Sequence, residues 1–279
     1  MLVGDVNVTA VSDGTFVARP RYFGSCVPVD ARPDFFNHAG AAWLPVGAFV
    51  LRVDDRLLLV DAGLGPQLQQ LPDGMLLVGG QLLTGLLALG LNPRRVTDVI
   101  CTHLHSDHVG WLFDLHANPV FAWATIWCGA ADWDYYAANG AEMAPHIRAG
   151  FLDLDRTRLK AIRQDVPIVR GVTAILTPGH TPGSLSVEVA AGGKRLLLVG
   201  DAITCPIQLE QPTWHSFGDV DIALAERTRR RLWNELADDH TLGVGAHFPR
   251  LQAGRVNPGQ PRRWIQHSPT SDEAFGAGH

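Results

Sequence analysis

The chain has 279 residues, a formal net charge of −5 and a hydrophobic content of 46%. This length allows one large core or two tightly fused halves, and the hydrophobic content is ordinary for a globular enzyme. The negative charge and the lack of a long basic stretch argue against nucleic acid as the main partner.

The N-terminal segment and the cysteines indicate a cellular compartment. Residues 1–16 carry no positive flank followed by an apolar block, so no secretory signal is predicted. No apolar run approaches the roughly 18 residues that a membrane span needs. The cysteines (Cys26, Cys101, Cys128 and Cys205) are scattered and form no CxxC pair. Reduced thiols in a cytoplasmic protein without a membrane partner are therefore expected.

Short strands alternate with helical stretches in the first half of the chain. Val46–Val53 and Leu57–Val60 are predicted strands, joined by a tight turn at Asp54-Asp55. The elements predicted next are a helix over Gly80–Leu89, a buried strand over Val96–Thr102, a helix beginning soon after His108, and helices over Gly129–Ala138 and Asp155–Gln164.

Strands return in the second half, at Val172–Leu176, Leu185–Val189 and Leu196–Val199, with Gly192-Gly193 as a hairpin connection. A long amphipathic helix is predicted over Asp221–Leu236, capped by Asp219 or Asp221, and a short strand over Thr241–Val244. Strand-rich halves separated by helices predict layers of helix and sheet around one core.

The segment His103-Leu104-His105-Ser106-Asp107-His108 follows a predicted strand and carries the strongest chemical signal. Residues two apart in an extended chain point the same way, so His103 and His105 can bind one ion together. Asp107 and His108 follow where the chain turns and can face a second ion. Imidazole and carboxylate together are the ligands that suit zinc and its neighbours in the transition series.

Three further candidates each stand directly after a predicted strand, where functional groups collect in α/β sheets. His180 lies in the Pro- and Gly-rich segment Thr177–Gly183, Asp201 ends the apolar run Leu196–Gly200, and His247 follows the strand ending near Val244. Together with the first motif they predict a site of five histidines and two aspartates.

The ordered set HLHSDH, PGHTPG, VGD and AHF resembles the metallo-β-lactamase superfamily, and Leu59–Gly63 resembles its early strand-turn motif. The resemblance runs from about Val46 to Phe248 and implies an α+β fold, the αββα sandwich, with metals at one edge of its two sheets. It implies a single domain over 1–279, made of an N-terminal arm or lid segment over 1–45, a catalytic core over 46–248 and a tail over 249–279.

The resemblance also implies which side chain holds which metal. It assigns His103, His105 and His180 to the first ion, Asp107, His108 and His247 to the second, and Asp201 to both. Asp61 matches a position that is usually structural. Two zinc ions are the expected cofactors, with manganese, iron or cobalt as alternatives, and they activate a bridging hydroxide. Asp107 and Asp201 are the expected catalytic carboxylates, since Asp107 can also orient that hydroxide.

Several family activities remain open. A bridging Asp201 resembles lactonases, thioesterases, phosphodiesterases and organophosphate hydrolases. The few residues after His247 disfavour a glyoxalase II, and the composition offers no basic exosite for an RNase Z. The opening segment 4–14, Val109-Gly110-Trp111 and the segment from Pro206 to Pro249 are similar to N-acyl homoserine lactonase-like and methyl parathion hydrolase-like enzymes.

The main hypothesis is a binuclear hydrolase of a small, partly apolar ester, lactone or phosphotriester. The alternatives are an N-acyl homoserine lactonase and, in another class, a metal-binding redox protein such as a one-metal persulfide dioxygenase-like member. Thr204 stands where quorum-quenching lactonases often carry a tyrosine, three residues after the bridging aspartate. We therefore expect slow lactone turnover and faster hydrolysis of aryl esters and phosphotriesters, with the first metal and His215 stabilising the oxyanion.

The expected substrate pocket is aromatic. Its candidates are Phe23, Phe35, Phe36, Trp43, Trp111, Trp214 and His215, together with Thr204 beside the bridging carboxylate. The stretch Phe35–His38 is flanked by Pro and Gly and is expected to form a lid. The partners expected are a small-molecule substrate and a second copy of the chain, which the segment before Val46 would contact in a homodimer.

Overall fold

Two β-sheets packed face to face form the centre of the structure, a computed structural model. It describes residues 1–25, 27–28, 30, 32–138, 143–257, 259 and 262–267. Cys26 and the end of the expected tail, 268–279, lie outside the described residues.

Within the described residues, the first sheet contains nine strands and the second contains seven, and the first is formed by the N-terminal part of the chain. Its strands are β1 (Leu2–Val3), β2 (Val6–Ala18), β3 (Ala42–Val53), β4 (Arg56–Val60), β5 (Leu68–Gln70), β6 (Leu76–Val78), β7 (Asp98–Ile100), β8 (Thr125–Gly129) and β9 (Leu159–Ile162). Their spatial order is β5-β6-β2-β3-β4-β7-β8-β9, with β1 paired to β2. The pairs β4–β7, β7–β8 and β8–β9 are parallel, so the carboxyl ends of these four strands meet at one edge.

The second sheet contains seven strands in sequence order. They are β10 (Val166–Val169), β11 (Val172–Leu176), β12 (Leu185–Ala191), β13 (Lys194–Leu198), β14 (Thr241–Val244), β15 (Gly254–Asn257) and β16 (Arg263–Gln266). The pair β13–β14 is parallel, and the other pairs are antiparallel. The parallel pair therefore presents two carboxyl ends at the same edge.

Helices cover the outer faces of the sheets. They are α1 (Leu82–Ala88), α2 (Ser106–Val109), α3 (Ala130–Asp132) continued by a π-helical turn (Trp133–Ala138), α4 (Pro145–Asp153), α5 (Ile207–Glu210) and α6 (Ile222–Leu236). Short 3₁₀ turns stand at Pro20–Phe23, Pro72–Gly74, Pro93–Arg95, Gly200–Ile203 and Pro249–Leu251. Among the described residues, no helix combines the length and apolar character needed to cross a membrane.

Side-chain alternation along β3 explains the layers. Leu51 packs into a core shared with Val187 of β12 in the opposite sheet, whereas its neighbour Val50 packs on the other face beside Leu82 of α1. Successive strand residues point to opposite faces, so one strand contributes to two apolar layers. On the second sheet, α6 adds Leu236 to the inter-sheet core cluster. The predicted αββα sandwich is confirmed.

Several predicted elements are confirmed: the two strands joined at Asp54-Asp55, the strands of the second sheet, the short strand β14 and the long helix α6. The helix predicted over Asp155–Gln164 is wrong, because Leu159–Ile162 is strand β9. Its backbone hydrogen bonds go to the unpredicted neighbour β8, a long-range pairing that local pattern does not reveal. The helix predicted after His108 begins earlier, at Ser106, and ends at Val109.

The expectation of an N-terminal arm over 1–45 is also wrong for much of that segment. Strand β2 lies between β6 and β3 in the first sheet and pairs with β3 along most of its length. Its Val6 and Val8 are part of the core between the sheets. The following residues include Tyr22, Phe23 and Phe36, which are buried in a separate apolar cluster at one end of the sandwich.

Candidate metal centre

Asp61 holds in place the turn that carries His103 to His108. This aspartate follows β4 with a positive φ of 63° and accepts hydrogen bonds from the backbone N–H and the hydroxyl of Thr102, at 2.8 and 2.9 Å. Its Oδ2 lies 2.9 Å from Nδ1 of His108. Asp61 thus orients the chain entering the motif and aims the other nitrogen of His108 at the edge of the sheets.

The loop that carries His180 is held by Asp132 of α3. The Asp132 carboxylate accepts hydrogen bonds from the hydroxyl of Thr181 at 2.7 Å and from the backbone N–H of Gly183 at 2.6 Å. Burial raises the pKa of Asp132 to about 6, although these hydrogen bonds oppose the shift. The loop is therefore anchored at two positions directly after His180.

Asp201 and His247 come from the carboxyl ends of the parallel pair β13–β14. Asp201 stands in the 3₁₀ turn after β13, and His247 follows β14. Gly200 has a φ of +53°, and a Cβ there would lie 2.7 Å from the Cβ of Thr102. Glycine is needed at this position because the turn carrying Asp201 approaches the turn carrying His103 so closely.

Three imidazoles form the first group of the site. Nδ1 of His105 lies 3.0 Å from Nε2 of His103 and 3.1 Å from Nε2 of His180. Burial holds the pKa of His103 well below its usual value, and burial together with the charge of His180 lowers the pKa of His105 to about 3. His103 and His105 are therefore held as neutral imidazoles, the form that binds metals.

Asp107, His108 and His247 form the second group. Oδ2 of Asp107 lies 3.3 Å from Nε2 of His247 and 3.8 Å from Nε2 of His108. Burial alone would raise the pKa of Asp107, but His108 and His247 outweigh it and hold that pKa below its usual value. Burial lowers the pKa of His108, but the carboxylates of Asp61, Asp107 and Asp201 outweigh it and raise that pKa to about 10. The carboxylates around the second group therefore stabilise a positive charge placed among them.

Asp201 lies between the two groups. Its Oδ1 is 3.6 Å from Nε2 of both His108 and His247, whereas its Oδ2 is 3.7 Å from Nε2 of His180. Oδ1 of Asp201 and Nε2 of His108 are buried and have no hydrogen-bond partner among the described residues. Metal–ligand bonds of about 2.0–2.2 Å place neighbouring tetrahedral ligand atoms roughly 3.3–3.6 Å apart. The donor set, its spacing and these unpaired atoms fit two metal ions that share one carboxylate.

The outward-facing nitrogens of the histidines are held by further partners. Nδ1 of His180 lies 3.0 Å from Asp219 Oδ1, Nδ1 of His247 lies 2.7 Å from the Pro45 carbonyl oxygen, and Nε2 of His105 lies 2.9 Å from the Tyr136 hydroxyl. Such contacts select the tautomer and orientation of a ligand imidazole. Asp219 therefore contacts His180, whereas Asp221 caps α6 by accepting a hydrogen bond from the N–H of Leu224.

The aromatic pocket candidates are distributed over several environments. Phe23, Phe35, Phe36 and Trp214 pack together at one end of the sandwich. Trp111 donates its indole N–H to Asp13 at 2.8 Å, and Trp43 is 67% exposed. The imidazole of His215 lies near Gly24. Whether any of these residues contacts a substrate stays a prediction.

The backbone at Gly218 covers the first group. A Cβ at this position would lie 3.0 Å from Cε1 of His180 and 3.3 Å from Cε1 of His105. The loop between Trp214 and α6 is thus one wall of the site, and its closest point is a residue without a side chain. A larger residue at position 218 would press on two of the imidazoles that could hold a metal.

Tyr22 is one of the residues near the site that sequence reasoning missed. Its hydroxyl accepts a hydrogen bond from Ser216 at 2.7 Å and lies 3.5 Å from Oγ1 of Thr204, which is 3.4 Å from Oδ2 of Asp201. A phenol therefore lies beside Thr204 although position 204 itself is a threonine, and the expected slow turnover of lactones stays a prediction. Tyr22 and Thr204 are 182 positions apart, so no local motif signals their contact.

Curated relatives match part of the chain. The chain is 28% identical over 176 residues to an N-acyl homoserine lactonase of Bacillus thuringiensis, a match covering 58% of this chain and 65% of the relative's length. It is 31% identical over 121 residues to a probable metallo-hydrolase of Methanocaldococcus jannaschii, covering 43% of this chain and 44% of that one. The chain thus spans less than two thirds of the curated relatives' length.

Solved structures show the same fold over nearly the whole chain. One is AidC, a dizinc quorum-quenching lactonase, with a TM-score of 0.84, 22% identity and 97% of each chain covered. Another is the hydrolase AbOPH of the β-lactamase superfamily, with a TM-score of 0.80, 23% identity and the same coverage. The family model of the metallo-beta-lactamase superfamily matches residues 41–241. The chain therefore belongs to the metallo-beta-lactamase superfamily.

Proposed function

We propose that this protein is a binuclear metal-dependent hydrolase. His103, His105 and His180 would hold one ion, Asp107, His108 and His247 the other, and Asp201 both. The observation that carries this proposal is the position of Asp201, whose two carboxylate oxygens face different groups of imidazole nitrogens.

The ligand set favours zinc. Five imidazoles and two carboxylates without a thiolate suit zinc, with manganese, iron or cobalt as alternatives. The cysteines at 101, 128 and 205 are buried free thiols. Burial raises the pKa of Cys128 and of Cys205 to about 12, so both stay protonated. The proposal also includes a cytoplasmic location and a small-molecule substrate as the partner.

The side chains and the backbone at the site have separate roles in the proposed reaction. When bound, the two ions would lower the pKa of a shared water and polarise the bond under attack. Asp107 has one carboxylate oxygen beside His247, and its side chain can accept a hydrogen bond from the attacking water and orient it. The backbone at Gly218 limits the space over His105 and His180 and excludes bulk water from that side.

The proposed substrate is a small ester, lactone or phosphotriester. Two observations favour N-acyl homoserine lactones as the second candidate: the likeness to the Bacillus lactonases, and the phenol of Tyr22 beside Asp201 and Thr204. A redox protein of the persulfide dioxygenase type would need one metal. The convergence of Asp107, His108 and His247 as a further group supports hydrolysis instead.

A substrate panel tests the proposal. Zinc-loaded and manganese-loaded protein is assayed with a long-chain acyl homoserine lactone, an aryl ester, an aryl phosphotriester and a thioester. We expect hydrolysis of the lactone, the ester or the phosphotriester, which a chelator removes and added metal restores. His103→Ala should abolish turnover, whereas His116→Ala, at an exposed histidine outside the site, should not. Hydrolysis of the thioester alone, or none at all, would contradict the proposal.

A further inference from the structure

We propose that Tyr22 is a catalytic residue that donates a hydrogen bond to the substrate oxygen on which negative charge develops during hydrolysis. The inference rests on the proposed function. Tyr22, in the segment after β2, would supply the phenol that position 204, a threonine, cannot supply.

The segment is attached to the wall of the site by its backbone. The N–H of His215 donates to the carbonyl of Phe23 at 3.1 Å, and the N–H of Phe217 donates to the carbonyl of Tyr22 at 2.7 Å. The Tyr22 ring packs edge-on against Phe16, with centroids 4.9 Å apart, and Phe16 in turn packs against the His247 ring at 5.7 Å. Phe16 therefore connects the phenol ring to the second group of the site through His247.

The hydroxyl of Tyr22 accepts a short hydrogen bond but donates only a long, weak one. It accepts a hydrogen bond from the Ser216 hydroxyl at 2.7 Å, which fixes its orientation. Its own proton points to Thr204 Oγ1 at 3.5 Å, at the outer limit of a hydrogen bond. Thr204 in turn donates to Asp201 Oδ2, the carboxylate oxygen that faces His180. A substrate oxygen that reaches this side can accept a hydrogen bond from the Tyr22 hydroxyl, and only the weak contact with Thr204 is lost.

The surroundings keep the phenol protonated. Burial raises the pKa of Tyr22 well above its usual value, and the negative charges of Asp201 and Asp107 raise it further. Both carboxylates therefore act electrostatically on this one hydroxyl. A buried, oriented O–H that stays protonated stabilises an oxyanion without reorganisation during the reaction.

A donor at Tyr22 changes which substrate we expect the protein to hydrolyse efficiently. With Thr204 alone, lactones would depend on the metals for oxyanion stabilisation, and good leaving groups would be favoured. With Tyr22 as a donor, the oxyanion formed from a lactone carbonyl is stabilised by the phenol as well, so attack on a substrate with a poor leaving group becomes easier. The lactone should then be a substrate, and its hydrolysis should depend on the phenol more strongly than that of an aryl ester.

The test compares Tyr22→Phe with Tyr135→Phe, which removes the same phenolic O–H from a 42% exposed ring. Metal content, kcat and KM are measured for a long-chain acyl homoserine lactone and for an aryl ester. We expect Tyr22→Phe to lower kcat for the lactone about 10²-fold, with a smaller loss for the aryl ester, a nearly unchanged KM and two bound ions. Tyr135→Phe should match the unsubstituted protein.

A second comparison separates donation to substrate from positioning of Asp201. If Tyr22 acted through Thr204, then Thr204→Val would cost as much as Tyr22→Phe, and the double variant would be no worse than either. We expect instead a smaller loss for Thr204→Val and a further loss in the double variant.

Three results would overturn the inference while leaving the proposed function intact. They are a Tyr22→Phe protein with undiminished lactone turnover, one that loses metal, and equal losses at Tyr22 and Thr204 without a further loss in the double variant. If the unsubstituted protein hydrolysed nothing in the panel, the proposed function would fail first and this inference with it.

Discussion

Two aspartates near the start of α6 show how differently similar residues act. Asp219 is buried and contacts His180, Arg229 and the N–H of Ser216, whereas Asp221 is exposed and caps the helix. Either residue fits the sequence signature of a helix cap. The distinction depends on where the loop carrying His180 lies, which is a long-range contact.

This contrast gives a prediction for metal affinity. Asp219→Asn removes the negative charge beside Nδ1 of His180, so zinc binding at the first group should weaken about 10-fold or more. Asp221→Asn replaces one good capping residue with another and should leave zinc affinity unchanged. Competition with a chromophoric chelator measures both variants. Equal zinc affinity in the two variants would show that Asp219 does not support the metal through His180.

Asp201 supports a second prediction at this scale. Because its two oxygens face both groups, Asp201→Ala should weaken the binding of both metals and remove activity. The fold should remain mostly intact, since the sandwich core does not include this side chain. Circular dichroism, elemental analysis and turnover are measured on one preparation. Two tightly bound ions together with normal turnover would show that the shared ligand lies elsewhere.

The residues predicted as metal ligands converge in the structure because each follows a strand end and those ends share one edge. The sequence alone could predict this, since strand runs and adjacent His and Asp residues are local patterns. Tyr22, Tyr136 and Asp219 could not be predicted as neighbours of the site. Their contacts with Thr204, His105 and His180 depend on the packing of distant segments.

Among the elements, the strands of the second sheet and α6 follow from periodicity, whereas β8 and β9 do not. Each of these two short strands is parallel to its neighbour and takes its hydrogen bonds from distant parts of the chain. Residues 155–164 show a pattern that also fits a helix, and pairing with β8 overrides it. The same limit applies to β2, which the sequence placed in an arm.

The end of β8 gives a prediction about close packing. A Cβ on Gly129 would lie 1.9 Å from the carbonyl oxygen of Gly183, in the loop that presents His180. Gly129→Ala should therefore destabilise the metal-free protein by about 1–3 kcal/mol and weaken zinc binding. Gly193→Ala, in a hairpin with open space but a φ of +74°, should cost about 1 kcal/mol without changing zinc affinity. Urea unfolding and zinc titration test both variants; unchanged zinc affinity in Gly129→Ala would contradict the packing argument.

For the whole molecule, we predict a homodimer that buries at least about 1,000 Å² and includes the segment before Val46. Trp43, the second residue of β3, is 67% exposed and is the apolar residue of that segment best placed to contact a second copy. Trp43→Ser should shift the protein toward monomer, whereas Trp123→Ser, at a 77% exposed position outside the segment, should not. Light scattering at micromolar concentration checks this, and a monomeric unsubstituted protein would refute it.

The central claim is that two metal ions share Asp201 at the edge of the sandwich, and metal stoichiometry tests it most directly. Elemental analysis of protein purified without chelator should give two ions per chain, zinc in the first instance. Asp201→Ala prepared in parallel should retain substantially less metal. A single ion per chain at full occupancy in the unsubstituted protein would contradict the account.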